Sequence, residues 1–250
     1  GDGPIPVWIK CNTGMNRLGL DAEGVETMMQ RIREAPGLEV AGLMTHYACA
    51  DDPGDAMTAE QVRRMRAISR EFPELPVSAA NSAAHFHGRE AHFDWTRPGI
   101  MLYGGTPLIT ERGQDLDLRP VMRLESRIIA VRTLTPGETV GYGATWTAEQ
   151  PTRMGVVEIG YGDGYPRHAP NGTPVAVDGC RCELIGRVSM DMLAVSLEAC
   201  PGAGPGSVVE LWGETVSVDE VAELSGTISY ELLTAVSPRV PRVHEDGGES

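Results

Sequence analysis

The sequence predicts two regions of different fold class: an α/β region followed by a mainly antiparallel β region. Up to about residue 118, apolar segments alternate with amphipathic helical segments, and no hairpin turn separates them. Such strand and helix repetition is typical of parallel sheets. Beyond Pro120 the pattern changes to alternating strands, and Asp178-Gly179 between two of them is a strong hairpin signal. We therefore expect domains at residues 1–118 and 119–250.

The first region contains four predicted strands and two long predicted helices. The strands are Pro6 to Cys11, Gly42 to Tyr47, Val77 to Asn81 and Ile100 to Gly104. Asp21 is the predicted cap of the first helix, which Pro36-Gly37 ends. Thr58 and Gln61 form a predicted capping box at the start of the second helix, and a short helix is expected from Ser82.

The second region consists of alternating segments with few helical patterns. Its predicted strands are Val121 to Leu134, Thr139 to Thr147, Arg153 to Tyr161, Pro174 to Val177, Cys180 to Leu184 and Ser207 to Trp212. Ser217 and Glu220 are typical of the start of a short helix. This pattern predicts a β domain.

Composition excludes several classes of function. The 21 basic residues against 35 acidic residues give a net charge of −14, which disfavours binding to nucleic acid or an acidic membrane surface. No apolar segment approaches the roughly 18 residues of a membrane span, and the N-terminal residues show no secretory signal pattern. The five cysteines lack zinc-site spacing, so we expect no metal site and reduced thiols in a cytoplasmic protein.

Polar residues cluster where each predicted parallel strand ends. They are Lys10, Arg17, His46, Asn81, Ser82, Arg97, Gly99 and Ile100. Carboxyl ends of parallel strands are where barrel and doubly wound enzymes keep their sites. Ser82 and the backbone N–H groups near Gly99 would suit a phosphate. Taken singly, His46 is typical of a structural histidine and Arg97 of a surface ion pair, so only the combination indicates a site.

Eight motifs follow one another along the chain. They are Ile9 to Gly19, Thr45 to Ala48, Ala80 to Ala83, Arg97 to Gly104, Val140 to Thr145, Ile159 to Tyr165, Gly186 to Asp191 and Thr227 to Leu232. In this order they resemble the alanine racemase family over nearly the whole chain. The motifs Val140 to Thr145 and Arg97 to Gly104 are the most specific, because each combines glycines with a functional side chain.

The resemblance implies an architecture and an activity. Residues 1–118 would be the second half of a (β/α)8 barrel that binds pyridoxal 5′-phosphate (PLP), and residues 119–250 the C-terminal β domain. The family is a cytoplasmic homodimer with shared active sites. It interconverts L-alanine and D-alanine, a small amino-acid substrate, by two-base racemisation that supplies D-alanine for peptidoglycan.

The resemblance also implies roles for individual residues. The implied catalytic residues are Tyr142, His46 and Arg97. The implied substrate-binding residues are Arg17, Met190 and Asp191. The implied PLP-binding residues are His46, Asn81, Ser82, Arg97, Gly99, Ile100 and Tyr230. Lys10 matches a lysine that is often carbamylated, and the substrate entry corridor would contain Asp51, Tyr161, Arg167, Arg187 and Ile228.

Physical chemistry supports these implied roles. Racemisation needs a base on each face of a planar intermediate. A tyrosine with a pKa near 10 acts as a base only if nearby positive charge favours its phenolate, and a chain from His46 to Arg97 would supply such a bias. Arg97 cannot accept a proton, so a facing pyridine ring would stay neutral. Arg17 would bind the substrate carboxylate through two hydrogen bonds.

Two features depart from the family pattern. The family's Schiff-base lysine lies on its first barrel strand, and a complete barrel takes roughly 250 residues, so we expect this chain to lack an N-terminal part with that lysine. Lys10, the only lysine, stands seven residues before Arg17 and matches the carbamylated position instead. Asn12 also replaces the acidic residue that is usual before Thr13.

Three alternatives remain open at this stage. A PLP-dependent racemase of another small amino acid, such as serine, would share these motifs. A PLP-dependent amino-acid decarboxylase shares the architecture, although Val140 to Thr145 favours the racemase. The chain could also be a non-catalytic, dimer-forming remnant that binds phosphate weakly.

Overall fold

A computed structural model describes residues 3–244, which divide into two compact units. The first comprises the chain up to residue 102 together with residues 106–111. The second comprises residues 103–105 and the chain from residue 112 onward. The domain boundary between residues 118 and 119 stays a prediction.

The first unit contains a parallel sheet with alternating helices. Its elements are β1 (Ile5–Lys10), α1 (Ala22–Arg33), β2 (Leu38–Met44), α2 (Met57–Arg70) and β3 (Val77–Ser78). The strand order is β1-β2-β3, and both pairings are parallel. The prediction of parallel strand and helix repetition is therefore confirmed for these strands.

Helix α1 shows why these segments fold as predicted. The Asp21 carboxylate accepts a hydrogen bond from the Gly24 N–H at 2.8 Å and so caps the helix. Val25, Met29 and Ile32 recur on one face and are buried in the core of this unit. The prediction for α1 is confirmed.

The predicted fourth strand, Ile100 to Gly104, is wrong. Ile100–Tyr103 forms a 3-10 helix, and an extended segment before it pairs with β3 through Trp95. The Arg97 N–H donates to the Ala80 carbonyl at 2.7 Å, so pairing continues up to Pro98, which has no N–H to extend it. The extended segment beside β3 therefore takes the place of the predicted fourth strand, and its carboxyl end is at Arg97.

The predicted capping box of α2 is also wrong. Thr58 lies inside the first turn, and the Asp55 carboxylate accepts the Met57 N–H at 2.7 Å. Gln61 is fully buried, and its amide donates to Thr13 and to the His46 carbonyl instead of pairing with the helix start. Gln61 therefore joins α2 to distant segments of the chain and does not cap the helix.

The second unit contains a closed antiparallel barrel of six strands in the order β10-β7-β4-β11-β8-β9. The elements of this unit are β4 (Leu124–Leu134), β5 (Thr139–Val140), β6 (Trp146–Thr147), β7 (Thr152–Val157), β8 (Pro174–Val177), β9 (Cys180–Leu184), β10 (Leu193–Ser196), β11 (Val208–Trp212), α3 (Val218–Leu224) and α4 (Ser229–Ala235). The predicted antiparallel β domain is confirmed. Its core contains Trp212, Tyr165 and Leu184, which are all fully buried.

Several local predictions for the second unit can be compared with the structure. Asp178 and Gly179 join β8 to β9 with φ values of 46° and 80°, as expected for a two-residue hairpin. The Ser217 side chain caps α3, as predicted. The predicted continuous strand from Thr139 to Thr147 is wrong, because a turn at residues 141–145 divides it into β5 and β6.

Residues 3–244 contain neither a membrane-spanning helix nor a cluster of metal-ligating side chains. Within that range no helix has the length and apolar character needed to cross a membrane. In the same part of the chain, no three His, Cys, Asp or Glu side chains are grouped so that they could hold a metal ion. All five cysteines are free thiols.

Candidate functional site

Arg97 and His46 form the centre of a polar cluster at the carboxyl ends of the parallel strands. Nη1 of Arg97 donates to Ser78 Oγ at 2.6 Å, and Nη2 donates to the Thr45 carbonyl at 2.6 Å. Nη2 also lies 3.3 Å from His46 Nδ1. Because a guanidinium has donors only, Nδ1 is the acceptor and the imidazole proton lies on Nε2.

The environment of His46 favours its neutral form. Partial burial lowers its pKa, and the positive charges of Arg97, Arg17 and Lys10 lower it further. Burial also lowers the pKa of Arg97, although the nearby Tyr47 opposes this effect. The cluster therefore combines a neutral imidazole with three surrounding cations.

Lys10 and Arg17 lie on the same side of the first unit as His46. Lys10 is the last residue of β1, and its carbonyl accepts the Leu20 N–H at 2.8 Å. This contact brings the 12–20 loop, with the exposed Arg17, back toward the strand end. This backbone hydrogen bond therefore keeps the loop of Arg17 close to Lys10, on the side of the unit where His46 lies.

Ser82 connects the two strand ends that were predicted to bind phosphate. Its hydroxyl accepts the Gly99 N–H at 2.7 Å and approaches the Met101 N–H at 3.5 Å. The Asn81 side-chain oxygen accepts the Ala84 N–H at 3.0 Å and so holds the turn after Ser82. Ile100 is buried and begins the 3-10 helix. The structure thus brings all four predicted residues together.

The role of Gln61 was not predicted from the sequence. Its Nε2 donates to the His46 carbonyl at 2.9 Å and to Thr13 Oγ1 at 3.1 Å, while its Oε1 accepts the Ala48 N–H at 2.8 Å. Gln61 therefore fixes the backbone on both sides of Tyr47. The available signal was a polar residue beside Val62 on the core-facing side of an amphipathic helix.

Tyr142 lies on an exposed turn of the second unit, between β5 and β6. Its side chain is 72% exposed, and the flanking Gly141 and Gly143 have φ values of 70° and 77°, which favour glycine. The Arg187 guanidinium packs beside this turn, since a Cβ on Gly143 would lie 3.4 Å from its Nη1. The structure thus places a cation next to the turn that carries the predicted catalytic tyrosine.

Tyr161 and Met190 lie on two adjacent loops of the same unit. The Tyr161 N–H donates to the Ser189 carbonyl at 3.0 Å, and the Gly162 N–H donates to the Met190 carbonyl at 2.8 Å. Asp191 forms an ion pair with Arg239, which the sequence analysis did not identify. The loop of Tyr161, a predicted entry-corridor residue, therefore lies beside the loop of Met190 and Asp191, the predicted substrate-binding residues.

The remaining predicted residues are less closely connected. Tyr230 lies in the first turn of α4, a helix that the sequence analysis did not predict, and is partly exposed. Arg167, Ile228 and Asp51 are also exposed.

The fold and these clusters define a class of protein: an enzyme-like parallel α/β unit with polar strand ends, joined to an antiparallel β-barrel unit. Family models support a narrower assignment. The alanine racemase N-terminal domain matches residues 1–107, and the alanine racemase C-terminal domain matches residues 121–244. The chain belongs to the alanine racemase family.

Individual relatives agree with this assignment. An alanine racemase of Marinobacter nauticus is 56% identical over 247 residues, which cover 98% of this chain and 69% of the relative. The crystal structure of the biosynthetic alanine racemase from Pseudomonas aeruginosa matches with a TM-score of 0.90 and 48% identity, over 98% of this chain and 68% of that one. The chain thus spans about two thirds of the length of these relatives.

A third comparison concerns a structure with a bound cofactor. The alanine racemase from Bartonella henselae, with covalently bound pyridoxal phosphate, matches with a TM-score of 0.83 and 29% identity. The match covers 95% of this chain and 66% of the Bartonella chain.

Proposed function

We propose that the protein is an isomerase that interconverts L-alanine and D-alanine with PLP as cofactor. Biosynthetic and catabolic alanine racemases are both among its relatives. The observation that carries the proposal is the contact between Arg97 and His46 at the strand ends, beside the Ser82 and Gly99 pair. We place the activity in the cytoplasm, where it would supply D-alanine for peptidoglycan.

The residues at the strand ends fit the cofactor. A phosphate needs hydrogen-bond donors, and the Ser82 hydroxyl, the Asn81 side-chain amide and the Ile100 N–H could supply them. The Gly99 N–H donates to Ser82 Oγ and so would orient the hydroxyl toward the phosphate. A Cβ at Gly99 would lie 3.8 Å from Ser82 Oγ, so its absence leaves space beside the hydroxyl. The roles of Asn81, Ser82, Gly99 and Ile100 at the phosphate are proposals, and that of Tyr230 stays a prediction.

Arg97 is the residue proposed to face the pyridine nitrogen, with His46 beside the ring. When bound, PLP withdraws electrons from the α-carbon of the amino acid. A guanidinium keeps its proton at neutral pH, so Arg97 would donate a hydrogen bond to the nitrogen without transferring a proton. Hydrogen bonds from Arg97 to the Ser78 hydroxyl and to the carbonyls of Thr45 and Ala79 fix the plane of the guanidinium.

Arg17 is proposed to bind the substrate carboxylate, and Lys10 to orient Arg17. Both lie close enough to His46 for their charges to lower its pKa. A carbamate on Lys10 would convert its positive charge into a negative one that attracts Arg17. Lys10 is not assigned as the covalent ligand of the cofactor, because its spacing to Arg17 matches a different position in the family.

Tyr142 is proposed to act as the base on one face of the substrate, in a homodimer with shared sites. Its exposure of 72% leaves the hydroxyl available to another molecule. Met190, Tyr161 and Ile228 are also exposed, at 53%, 38% and 61%, although they are large and mostly apolar. Such side chains favour a surface that a second copy covers. Asp191, Arg167, Arg187 and Asp51 complete the proposed substrate-binding and entry residues.

The direct experiment measures D-alanine formed from L-alanine by the intact, PLP-loaded enzyme, with the family's Schiff-base lysine present. Racemisation of alanine in both directions, faster than that of serine, would support the proposal. A preference for serine would favour the racemase of another amino acid, and release of carbon dioxide from a diamino acid would favour a decarboxylase. Binding of phosphate without turnover of any amino acid would indicate a non-catalytic remnant.

A further inference from the structure

Two loops of the second unit are joined edge to edge. One comprises residues 160–164 and carries Tyr161, and the other comprises residues 189–191 and carries Met190. Two backbone hydrogen bonds, of 3.0 Å and 2.8 Å, run from the first loop to carbonyls of the second. A Cβ on Gly160 would lie 2.2 Å from the Ser189 carbonyl oxygen, so this close approach requires glycine.

The Arg239 side chain bridges the same two loops. Its Nε donates to Asp163 Oδ1 at 2.8 Å, and its Nη2 donates to Asp191 Oδ1 at 2.7 Å. A Cβ on Gly162 would lie 2.6 Å from Nη2, so the guanidinium packs directly over the first loop. Two separate nitrogens of one planar group therefore bind one carboxylate from each loop.

Asp163 is the fixed end of this bridge. Its side chain is only 17% exposed, and its second oxygen, Oδ2, accepts the Gly160 N–H at 2.9 Å. Its backbone carbonyl accepts the Ser237 N–H at 2.9 Å, which brings the segment before Arg239 to the same place. Asp163 is thus fixed by contacts with Gly160, Ser237 and Arg239. Asp191 is therefore the more mobile of the two carboxylates that Arg239 binds.

Arg239 keeps its positive charge at neutral pH. Its hydrogen bond to Asp163, and to a smaller extent its hydrogen bond to Asp191, raise the pKa of Arg239 above the usual arginine value. Asp191 is more exposed than Asp163, at 57%, so the pair with Asp191 is the weaker of the two by solvent screening. Loss of Arg239 would leave the loops joined by the two backbone hydrogen bonds and by the close backbone approach at Gly160.

We propose that Arg239 is a positioning residue that holds the 160–164 and 189–191 loops, and with them Tyr161 and Met190, at the separation needed to bind the amino acid. This inference rests on the proposed function. Arg239 acts through Asp163 and Asp191, and no contact of its own with substrate or cofactor is required.

Three variants test the inference. Arg239→Met keeps an apolar stem but removes both ion pairs, whereas Arg239→Lys keeps the charge on a single nitrogen that cannot serve both carboxylates in the same planar geometry. Arg181→Met is the matched control, because Arg181 pairs with Glu220 elsewhere in the same unit. Circular dichroism and urea midpoints establish that each variant is folded, and if Arg239→Met does not fold, Arg239→Lys carries the test.

Hydrogen exchange of the amides of Tyr161 and Gly162 reports the loop contact directly. We expect about tenfold faster exchange in Arg239→Met, a smaller increase in Arg239→Lys and no change in Arg181→Met. Exchange that matches Arg181→Met in both Arg239 variants would overturn the proposal.

Steady-state kinetics of the PLP-loaded protein separate positioning from a purely structural role. We expect the KM for alanine to rise about fivefold in Arg239→Met while kcat changes less than about twofold, since the loops affect substrate binding. Faster exchange with an unchanged KM would contradict the positioning role. If the intact wild-type enzyme, with its Schiff-base lysine, racemises nothing, the proposed function fails, and the exchange experiment still decides whether Arg239 holds the loops.

Discussion

Nη2 of Arg97 lies 3.3 Å from Nδ1 of His46, and the same nitrogen donates to the carbonyl of Thr45, the residue before the histidine. One guanidinium therefore fixes both the backbone and the ring at this strand end. Since Arg97 supplies only donors, it also determines the tautomer of His46. The relative orientation of the two side chains is thus set before any ligand binds.

Arg97→Lys should destabilise the protein although the charge is kept. A lysine ammonium cannot reach the Ser78 hydroxyl, the Thr45 carbonyl and the ring together, so partly buried acceptors lose their donors. We expect the free energy of unfolding to fall by about 1–3 kcal/mol in urea titrations. The control is Arg70→Lys on the surface of α2, which should change it by less than about 0.5 kcal/mol. Equal effects of the two substitutions would contradict this account of Arg97.

His46 should make stability depend on pH on the acidic side. Its pKa is lowered in the folded state, so the unfolded chain binds the proton more readily. The contribution is fully present above the unfolded pKa of about 6.5 and is lost as the pH falls below it. We expect His46→Gln to lose less stability than wild type between pH 7.5 and roughly 5.5, as measured by urea unfolding.

The exposed His168 provides the control for the pH experiment. His168→Gln should retain the pH dependence of the wild type. If His46→Gln and wild type lose stability in parallel as the pH falls, the environment of His46 is not the one described.

Ser82→Ala should weaken binding of PLP. The hydroxyl now accepts the Gly99 N–H and would donate to the phosphate, so its removal costs the ligand a donor and leaves the strand ends less fixed. We expect the Kd for PLP, measured by absorbance titration, to rise about tenfold. Ser69→Ala removes a hydroxyl that donates to the Arg66 carbonyl of its own helix and should leave the Kd unchanged.

Lys10 should remain unmodified when the PLP-loaded protein is reduced with borohydride. Its proposed role is to orient Arg17, so an equimolar amount of PLP should leave no reduced pyridoxyl group on the peptide that contains it. Peptide mass mapping makes the measurement. A pyridoxyl adduct on Lys10 would show that the only lysine of the chain is the covalent ligand, contrary to the proposal.

Much of the fold could be predicted because its signals are local. The apolar spacing of α1 and the Asp178-Gly179 turn each determine their own structure within a few residues. Ile100 to Gly104 misled the prediction because a short apolar segment is compatible with a strand or a helical turn. The decisive factor was Pro98, which ends the pairing of the extended segment that contains Arg97.

The candidate site was predictable where motifs carry a resemblance, but not where residues act at a distance. Gln61 stands 15 residues from His46 in sequence, and Arg239 stands 48 residues from Asp191. Neither pairing leaves a local pattern, because each depends on how segments distant in sequence meet in the folded unit. Helix α4, which carries Tyr230, was missed because its seven residues are too few for a clear helical period.

The most direct test of the central claim is deuterium incorporation at the α-carbon of each alanine enantiomer in heavy water by the Tyr142→Phe variant of the intact, PLP-loaded enzyme. Phenylalanine keeps the ring but removes the hydroxyl, so one face of the substrate loses its base. We expect exchange from one enantiomer to fall by about 10²- to 10⁴-fold, with far less effect on the other. Tyr103→Phe, at another exposed tyrosine, should leave both rates unchanged. Equal loss of exchange from both enantiomers would contradict the assignment of Tyr142 as the base on one face.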